Sequence, residues 1–228
     1  MPSNTSRIGA GRTVLIAGYS AGLGAALARQ FTNAGYSVVG ASRSGEGEHV
    51  DLTDEGAVGA LFACLDQHYP PLAGVIHNSM LFLREPLMST SAAQLESVWR
   101  AMVMTAFLVT REAIPRLQQL GGGTLIYTGA SGSRRAGVDF AAFSSAKFAL
   151  RGFAQAVARE HGAQGIHAVS VIVDGLIESD KTAQRFAASH LQRMINPDEL
   201  AVQYLQLFHQ PASTWTQELD IRPMGGRF

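Results

Sequence analysis

The sequence predicts an α/β fold in which about seven parallel strands form one doubly wound sheet with helices on both faces. Short apolar segments rich in Val and Ile alternate along the chain with longer segments of helical periodicity, as in repeated β-α-β units. The chain has 228 residues, 46% of them hydrophobic and 16% charged, which suffices for one large core but is short for two substantial domains. It contains no repeat, low-complexity tract or linker, so we expect residues 1–228 to form a single domain.

The first β-α unit is the clearest. Thr13–Ala17 (TVLIA) is a continuous apolar strand of the kind buried inside parallel sheets, and a glycine turn follows it. Residues 25–34 have helical periodicity, and Gly35 is suited to end that helix. The other elements of the first half are predicted as a strand at residues 36–41, a short strand around residues 50–52, a helix from a cap at Thr53-Asp54 to about Gln67, and a strand at residues 72–78.

The second half continues the alternation of strands and helices. Its elements are predicted as a long apolar helix at residues 91–120, a strand at residues 124–128, a helix at Ala141–His161, a strand at residues 166–174, a helix at Pro197–Phe208 and an edge strand at Glu218–Ile221. The two longest helices carry more apolar residues than one sheet-facing stripe requires.

Composition argues against several classes of protein. The 18 basic and 18 acidic residues give no net charge, so no overall field favours nucleic acid or an acidic membrane surface. Cys64 is the sole cysteine, which excludes an intramolecular disulfide and agrees with a reducing compartment. The opening residues lack the apolar run of a signal peptide, and no stretch approaches the roughly 18 apolar residues of a membrane span. We expect a cytoplasmic protein that binds neither nucleic acid nor membranes.

The glycine turn after the first strand is typical of dinucleotide-binding proteins of the Rossmann type. Glycines allow a tight turn and a close approach of the backbone to a pyrophosphate, and the following helix presents free N–H groups to the phosphates. We therefore expect Gly18, Ser20, Gly22, Leu23 and Gly24 to bind a dinucleotide. The alternative is an ordinary glycine turn, which the position between strand and helix disfavours.

The residues after the second strand favour NADP over NAD. A protein that prefers NAD usually has an acidic residue here, which binds the ribose hydroxyls. This chain has Ser42 and Arg43, and a guanidinium beside a hydroxyl suits a 2′-phosphate. A solvated surface arginine is the alternative interpretation.

With these motifs the sequence resembles the short-chain dehydrogenase/reductase family over nearly its whole length. The similarity comprises the glycine spacing, Asp51-Leu52 after the third strand, Asn78 at the end of the fourth, Lys147 within FSSAKFALRGF, and DGLIES at residues 174–179. The family usually has Pro-Gly-x-Val-x-Thr at this last position.

The resemblance implies roles for these residues. Asp51 and Leu52 would flank the adenine, and Asn78 would support the central strand. Ile177 and Ser179 would contact the nicotinamide end of the cofactor. The two longest helices correspond to those that pair between subunits in the family, so we expect a homodimer or homotetramer.

The resemblance also implies an atypical active site. Ordinary members use an Asn, Ser, Tyr and Lys set, in which the tyrosine is the general acid. Carried onto this chain, those positions are Met102, Ala130, Phe143 and Lys147. Only Lys147, expected to hold the nicotinamide ribose, is retained. A phenyl ring has no proton to donate and a methyl group cannot bind an oxyanion, so ordinary carbonyl reduction is doubtful.

Several nearby residues are candidates for the missing groups. Ser131 lies one residue past the expected serine, although a turn serine is the simpler interpretation. Tyr127 carries a phenol but is expected to pack inside the fifth strand. Asp174 is either an acid near the nicotinamide or a turn residue. Arg134 and Arg135 either bind an anionic substrate or are a solvated pair on a loop.

The histidines are not spaced for a metal site, and several are expected at the surface or at helix ends. We therefore expect no metal ion. The residues considered are His77, His161, His167, His190 and His209.

The leading functional hypothesis is an NADP-dependent oxidoreductase that acts on a small organic substrate without a tyrosine acid, with Lys147 and Ser131 as the catalytic candidates. An imine, an activated double bond and a carbonyl are the candidate substrates. The alternatives are a catalytically inactive NADP-binding sensor or scaffold and a non-redox enzyme on the same fold. Residues 178–194, expected to cover the substrate, contain no recognition motif, so the sequence leaves the substrate and catalytic activity open.

Overall fold

All strands lie in one parallel sheet, in the order β3-β2-β1-β4-β5-β6-β7. A computed structural model describes residues 9–44, 47–185 and 194–224. The strands are β1 (Thr13–Ala17), β2 (Ser37–Ser42), β3 (Glu48–His49), β4 (Leu72–His77), β5 (Gly123–Ala130), β6 (Ile166–Val173) and β7 (Glu218–Ile221). The predicted α/β class and the seven parallel strands are confirmed.

Helices connect successive strands on both faces of this sheet. They are α1 (Leu23–Asn33), α2 (Glu55–His68), α3 (Ala92–Trp99), α4 (Thr105–Gln119), α5 (Ala141–His161), α6 (Asp180–Arg185) and α7 (Pro197–Phe208). The predicted helix at residues 91–120 is α3 and α4 joined by one π-helical turn, Arg100–Met104. Among the described residues, no helix combines the length and apolar character that crossing a membrane requires.

The predicted third strand at residues 50–52 is wrong in position. The strand is Glu48–His49, and it pairs with Ala41 and Ser42 of β2. Val50 donates its N–H to Ser42 O at 2.9 Å as the chain leaves the sheet. The apolar residues that suggested a strand instead pack inward, and Leu52 is buried in the core.

Two apolar layers form the core, one on each face of the sheet. Side chains alternate along β1, so that Val14 and Ile16 pack against α1 and α7, whereas Leu15 and Ala17 pack against α2, α4 and α5. Burial on both faces explains why the strand is continuously apolar.

The strand order reverses between β1 and β4. The chain runs outward from β1 to β2 and β3, and then returns to β4 on the other side of β1. In open parallel sheets, ligands bind outside the carboxyl ends of the strands at such a switch point. The turns after β1 and β4 therefore locate the candidate site.

Candidate active site

The turn after β1 packs directly on the turn after β4. Gly18 has φ of 88°, and a Cβ there would lie 2.3 Å from the backbone nitrogen of Ser79. Asn78 donates its backbone N–H to Ala17 O at 2.7 Å and its side-chain amide to Gly18 O at 3.2 Å. Only glycine fits at residue 18, and the two hydrogen bonds of Asn78 fix the turn after β1 in place.

Gly22 and Ser179 bring the segment after β6 against the glycine turn. A Cβ on Gly22 would lie 3.4 Å from Cβ of Ser179. Ser179 caps the first turn of α6, since its Oγ accepts the N–H of Thr182 at 3.2 Å. Ile177 forms a parallel bridge with Ile195. The predicted phosphate and nicotinamide contacts thus face one narrow space, which a side chain at residue 22 would narrow further.

The turn continues directly into α1. Leu23 is the first residue of the helix and is buried, and a Cβ on Gly24 would lie 3.2 Å from Cα of Tyr19. Ser20 accepts the N–H of Ala25 through its backbone oxygen at 2.8 Å. Gly22 at the N-cap offers no side chain to the N–H groups of Leu23 and Gly24, which leaves these two available to an anion.

The adenosine end of the predicted site lies beyond β2. Arg43 is exposed, and among the described residues its guanidinium has no hydrogen bond or ion pair. Hydrogen bonds from the backbone N–H and hydroxyl of Thr53 lower the pKa of Asp51, and the charge of Arg43 lowers it further. Ser42 donates its hydroxyl to Ser44 O at 2.7 Å. A guanidinium that forms no hydrogen bond with the described residues, and that follows a hydroxyl residue in the chain, fits a phosphate of the cofactor.

Lys147 lies inside the protein at the centre of the candidate site. Its side chain on α5 is 2% exposed, and Nζ donates to Thr128 O of β5 at 2.8 Å. Burial lowers the pKa of Lys147 to about 8, because removing water disfavours the charged ammonium. A buried, shifted lysine at the carboxyl edge of the sheet is typical of a functional group.

The residues that the resemblance aligns with the family's Asn, Ser and Tyr lie in one apolar cluster. Met102 and Phe143 are buried there, and Ala130 packs against them. Phe82 and Phe140 surround Phe143, with ring centroids at 5.5 and 6.2 Å. The ring of Phe143 is therefore an integral part of a packed aromatic surface.

His77, considered above only as a metal ligand, is a buried residue. It ends β4 at 2% exposure, and its Nε2 lies 2.8 Å from Oγ1 of Thr105. Burial lowers the pKa of His77 to about 3, and the charge of Lys147 adds to this effect. Thr105 donates its hydroxyl to Ala101 O, so Nε2 carries the ring proton and Nδ1 is a bare acceptor. Nδ1 has no hydrogen-bond partner among the described residues.

Arg134 and Arg135 are exposed on the loop after β5, and each is also ion-paired. Arg135 contacts both carboxylate oxygens of Asp174 at 3.0 and 3.1 Å, and Arg134 pairs with Asp220 at the end of β7. Asp174 thus links the loops after β5 and β6. Asp174, offered above as an acid near the nicotinamide or as a turn residue, is thus the partner of an ion pair.

The remaining candidates lie as the simpler interpretations predicted. Ser131 opens a 3₁₀ turn after β5, and its backbone oxygen accepts the N–H groups of Arg134 and Arg135. Tyr127 is buried, with its hydroxyl 2.8 Å from Oγ1 of Thr110. Ser133, which the sequence did not suggest, is fully buried, and its Oγ accepts the N–H of Ala130 at 3.1 Å.

The other histidines are unlike one another. His167 on β6 is also buried, and its ring stacks on Trp215. His161 ends α5, and His209 contacts Tyr36. His190 lies outside the described residues, and within them no three His, Cys, Asp or Glu side chains are grouped to hold a metal ion.

Known proteins share this sequence pattern. The model of the short chain dehydrogenase family matches residues 12–190. The 3-oxoacyl-(acyl-carrier-protein) reductase MabA of Mycobacterium bovis is 30% identical over 178 residues, which cover 75% of this chain and 71% of MabA. The uncharacterized oxidoreductase YciK of Escherichia coli is 25% identical over 217 residues, covering 86% of this chain and 85% of YciK.

Solved structures share the fold. A short-chain dehydrogenase from Rhodopseudomonas palustris is 31% identical with a TM-score of 0.79, and the match covers 93% of this chain and 99% of that chain. ElxO with NADP bound is 18% identical with a TM-score of 0.84, over 92% and 96% of the two chains, which is a likeness of fold alone. The family match and the MabA similarity both span most of the sequence. The chain belongs to the short-chain dehydrogenase family.

Proposed function

We propose that this protein is an NADP-dependent oxidoreductase that reduces a small organic acceptor without a tyrosine acid. The observation that carries the proposal is the juxtaposition of Lys147 and Phe143. The buried ammonium lies 5.9 Å from the centroid of the phenyl ring, one helical turn away. Lys147, which would hold the cofactor, is thus retained. Phe143, at the position of the family's tyrosine acid, is instead part of an apolar surface.

The residues at the switch point fit a dinucleotide. Gly18 and Gly22 would admit the pyrophosphate, and Arg43 would bind a 2′-phosphate that NAD lacks. Asp51 and Leu52 would flank the adenine, and Lys147 would hold the nicotinamide ribose. ElxO, which shares the fold, binds NADP. When bound, NADPH supplies a hydride to the substrate.

The aromatic cluster determines which substrates suit the site. Phe82, Phe140 and Phe143 exclude water and offer no hydrogen bond to a carbonyl oxygen. An imine, a conjugated double bond or another activated acceptor depends less on the missing hydroxyls than a simple ketone does. The cytoplasmic location remains a prediction.

A catalytically inactive sensor or scaffold is the second candidate. An inactive protein is favoured by Ala130 and Phe143. These residues have no hydroxyl group, whereas active relatives would need Ser and Tyr at the same positions. The same cluster favours a rebuilt site, because Phe143 packs against two other aromatic rings. A site that had only lost its catalytic hydroxyls would not require this aromatic packing around Phe143.

A substrate screen separates these candidates. NADPH absorbance would be followed with cyclic imines, conjugated enones and simple ketones, using the wild type and the double variant Phe143→Tyr, Ala130→Ser. We expect the wild type to reduce imines or enones and the two hydroxyls to add less than about 10-fold to ketone reduction, because each hydroxyl enters an apolar site. NADPH binding without turnover of any class would support the sensor instead. Rapid wild-type reduction of simple ketones would contradict the proposed role of Phe143.

A further inference from the structure

Lys147 has more hydrogen-bonding capacity than the protein uses. Its ammonium carries three N–H donors, and among the described residues its one hydrogen-bond partner is Thr128 O, at 2.8 Å. No carboxylate of these residues forms an ion pair with it, although the side chain is 2% exposed. Two of its three N–H groups therefore have no hydrogen-bond partner among the described residues and are available to a ligand.

The Lys147 ammonium lies over the ring of Phe143. Nζ is 5.9 Å from the ring centroid, a distance typical of a loose cation–π contact. A van der Waals contact with a ring carbon spans about 3.5 Å and a hydrogen bond about 2.9 Å. A substrate atom that lies against the ring on the Nζ side would thus be within reach of the ammonium.

We propose that the Lys147 ammonium is the general acid that protonates a neutral activated acceptor, a conjugated enone, as hydride is added. The proposal rests on the proposed function and adds a proton donor to it. The acceptor carbon gains the hydride, and the electron pair of the double bond that breaks takes the Nζ proton. NADPH becomes NADP⁺, and the neutral amine of Lys147 then regains a proton from solvent.

The surroundings of Lys147 make it a better acid than an ordinary lysine. Burial lowers its pKa to about 8, which is close to the pH at which an enzyme works and so suits general acid catalysis. Thr128 O accepts one hydrogen bond from the ammonium. The amine left after proton transfer is neutral, so its burial costs less free energy than burial of the charged form.

Neighbouring groups do not titrate near the same pH. His77 on β4 is kept neutral by burial and by the charge of Lys147, which together lower its pKa to about 3. Burial raises the pKa of Tyr127 on β5 and of Tyr204 on α7, whose hydroxyl contacts Thr128 Oγ1 at 3.0 Å. On α5 itself, Arg151 is paired with a carboxylate of β7. A change of charge near pH 8 in this region would therefore belong to Lys147.

The titration of Lys147 can be measured without any substrate. The chain contains two lysines, Lys147 and Lys181, so a protein labelled with [ε-¹³C]lysine gives two NMR signals. Lys181→Arg removes one of them and assigns the other. We expect the Lys147 signal to titrate near pH 8. A midpoint above pH 10 would overturn the proposal whatever the activity, because the ammonium would then be no stronger an acid than an ordinary lysine.

Two matched acceptors then test proton donation itself. An N-methylated cyclic iminium ion needs hydride alone, whereas a cyclic enone of the same ring size needs hydride and a proton. For the enone, kcat/KM should fall about 10-fold per pH unit above the NMR midpoint. For the iminium ion it should stay level. Lys147→Arg keeps the charge but not the acidity. Because Lys147 would also hold the nicotinamide ribose, both reactions should slow, but kcat/KM for the enone should fall at least about 10-fold more than kcat/KM for the iminium ion.

The two acceptors also distinguish proton donation from positioning. Equal losses on both acceptors in Lys147→Arg would overturn the proposal, since Lys147 would then only position the cofactor. An enone rate that is level through the NMR midpoint would do the same. If the wild type binds NADPH but reduces neither acceptor, the proposed function fails as well, and the sensor remains.

Discussion

His77 illustrates how one buried side chain shapes the response of the protein to pH. Its folded-state pKa of about 3 lies below the ordinary value of 6.5. Between these pH values the imidazole of His77 is protonated in the unfolded chain and neutral in the folded protein. The free energy of unfolding therefore falls as the pH is lowered from about 6.5 toward 3, and is unaffected by His77 above that window.

We expect His77→Asn to weaken this dependence. Asparagine does not titrate, so the loss of stability between pH 6 and 4 should be shallower than in the wild type by about 1.4 kcal/mol per pH unit. Urea denaturation at several pH values measures the slope. His49→Asn, on an exposed residue of β3, is the control and should leave the slope near that of the wild type. Parallel profiles for wild type and His77→Asn would contradict the assignment of a neutral buried histidine.

A second prediction at this scale concerns the choice of cofactor. The wild type should bind NADPH more tightly than NADH, and Arg43→Ala should weaken NADPH binding by about 10- to 100-fold while leaving NADH nearly unchanged. Fluorescence titration with both cofactors measures this. Arg159→Ala removes an exposed arginine of α5 and serves as the control. Equal affinities of the wild type for the two cofactors would rule out a 2′-phosphate contact at Arg43.

At the scale of elements, α3 shows how local sequence fixes the start of a structure that reaches the site. Ser91 and Gln94 form a capping box, in which Ser91 Oγ accepts the Gln94 N–H at 3.2 Å and Gln94 Oε1 accepts the Ser91 N–H at 2.8 Å. The helix then runs into the π-helical turn that holds Met102 in the aromatic cluster. The cap thus fixes the start of the helix that leads to the aromatic cluster.

We expect Ser91→Ala to lower the free energy of unfolding by about 1 kcal/mol, because two N–H groups lose their partners or their orientation. Chemical denaturation measures the difference. Ser97→Ala is a matched control on the same helix. The Ser97 hydroxyl donates a hydrogen bond to Ala93 O, and its removal leaves the cap intact. A change in Ser97→Ala as large as that in Ser91→Ala would show that the cap is not the cause.

The elements differ in how far the sequence predicted them. Thr13–Ala17, Ala141–His161, Pro197–Phe208 and Glu218–Ile221 were predicted at their observed bounds, because apolar periodicity and end signals agree there. β3 was misplaced because Glu48–His49 is held by two residues of pairing with β2 and has no apolar pattern. The π-helical turn has no sequence signal that separates it from an α-helix.

The site was predictable where a backbone motif defines it and less so where distant side chains meet. The glycine turn, Asn78 and Lys147 could be placed from local sequence. The contact of His77 with Thr105 spans 28 residues, and the pair of Arg135 with Asp174 spans 39, so neither is visible until the strands are aligned. The aromatic packing around Phe143 likewise depends on a residue that follows β4, Phe82.

At the scale of the whole molecule, apolar side chains remain exposed on the helices of one layer. Trp99 on α3, Phe107 on α4 and Phe148 on α5 are about 40% exposed. Large exposed apolar groups on long helices favour contact with another subunit. The predicted homodimer or homotetramer stays a prediction.

Light scattering at micromolar concentration tests this assembly. We expect a dimeric or tetrameric mass for the wild type and a shift toward monomer in the double variant Phe107→Glu, Phe148→Glu, because buried glutamates oppose an apolar interface. Met88→Glu changes an exposed apolar residue outside these helices and should keep the wild-type mass. A monomeric wild type would refute the prediction.

The two edges of the sheet are its shortest strands. β3 has two residues and β7 has four, whereas the inner strands β5 and β6 have eight each. An edge strand presents unpaired backbone groups on which a strand from another molecule can be added, and aggregation by this route requires a long, regular edge. An incoming strand would find only a few backbone partners at either side of this sheet. Among the described residues, the edges therefore give the sheet of one molecule little backbone on which to grow into the next, even where two molecules associate through their helices.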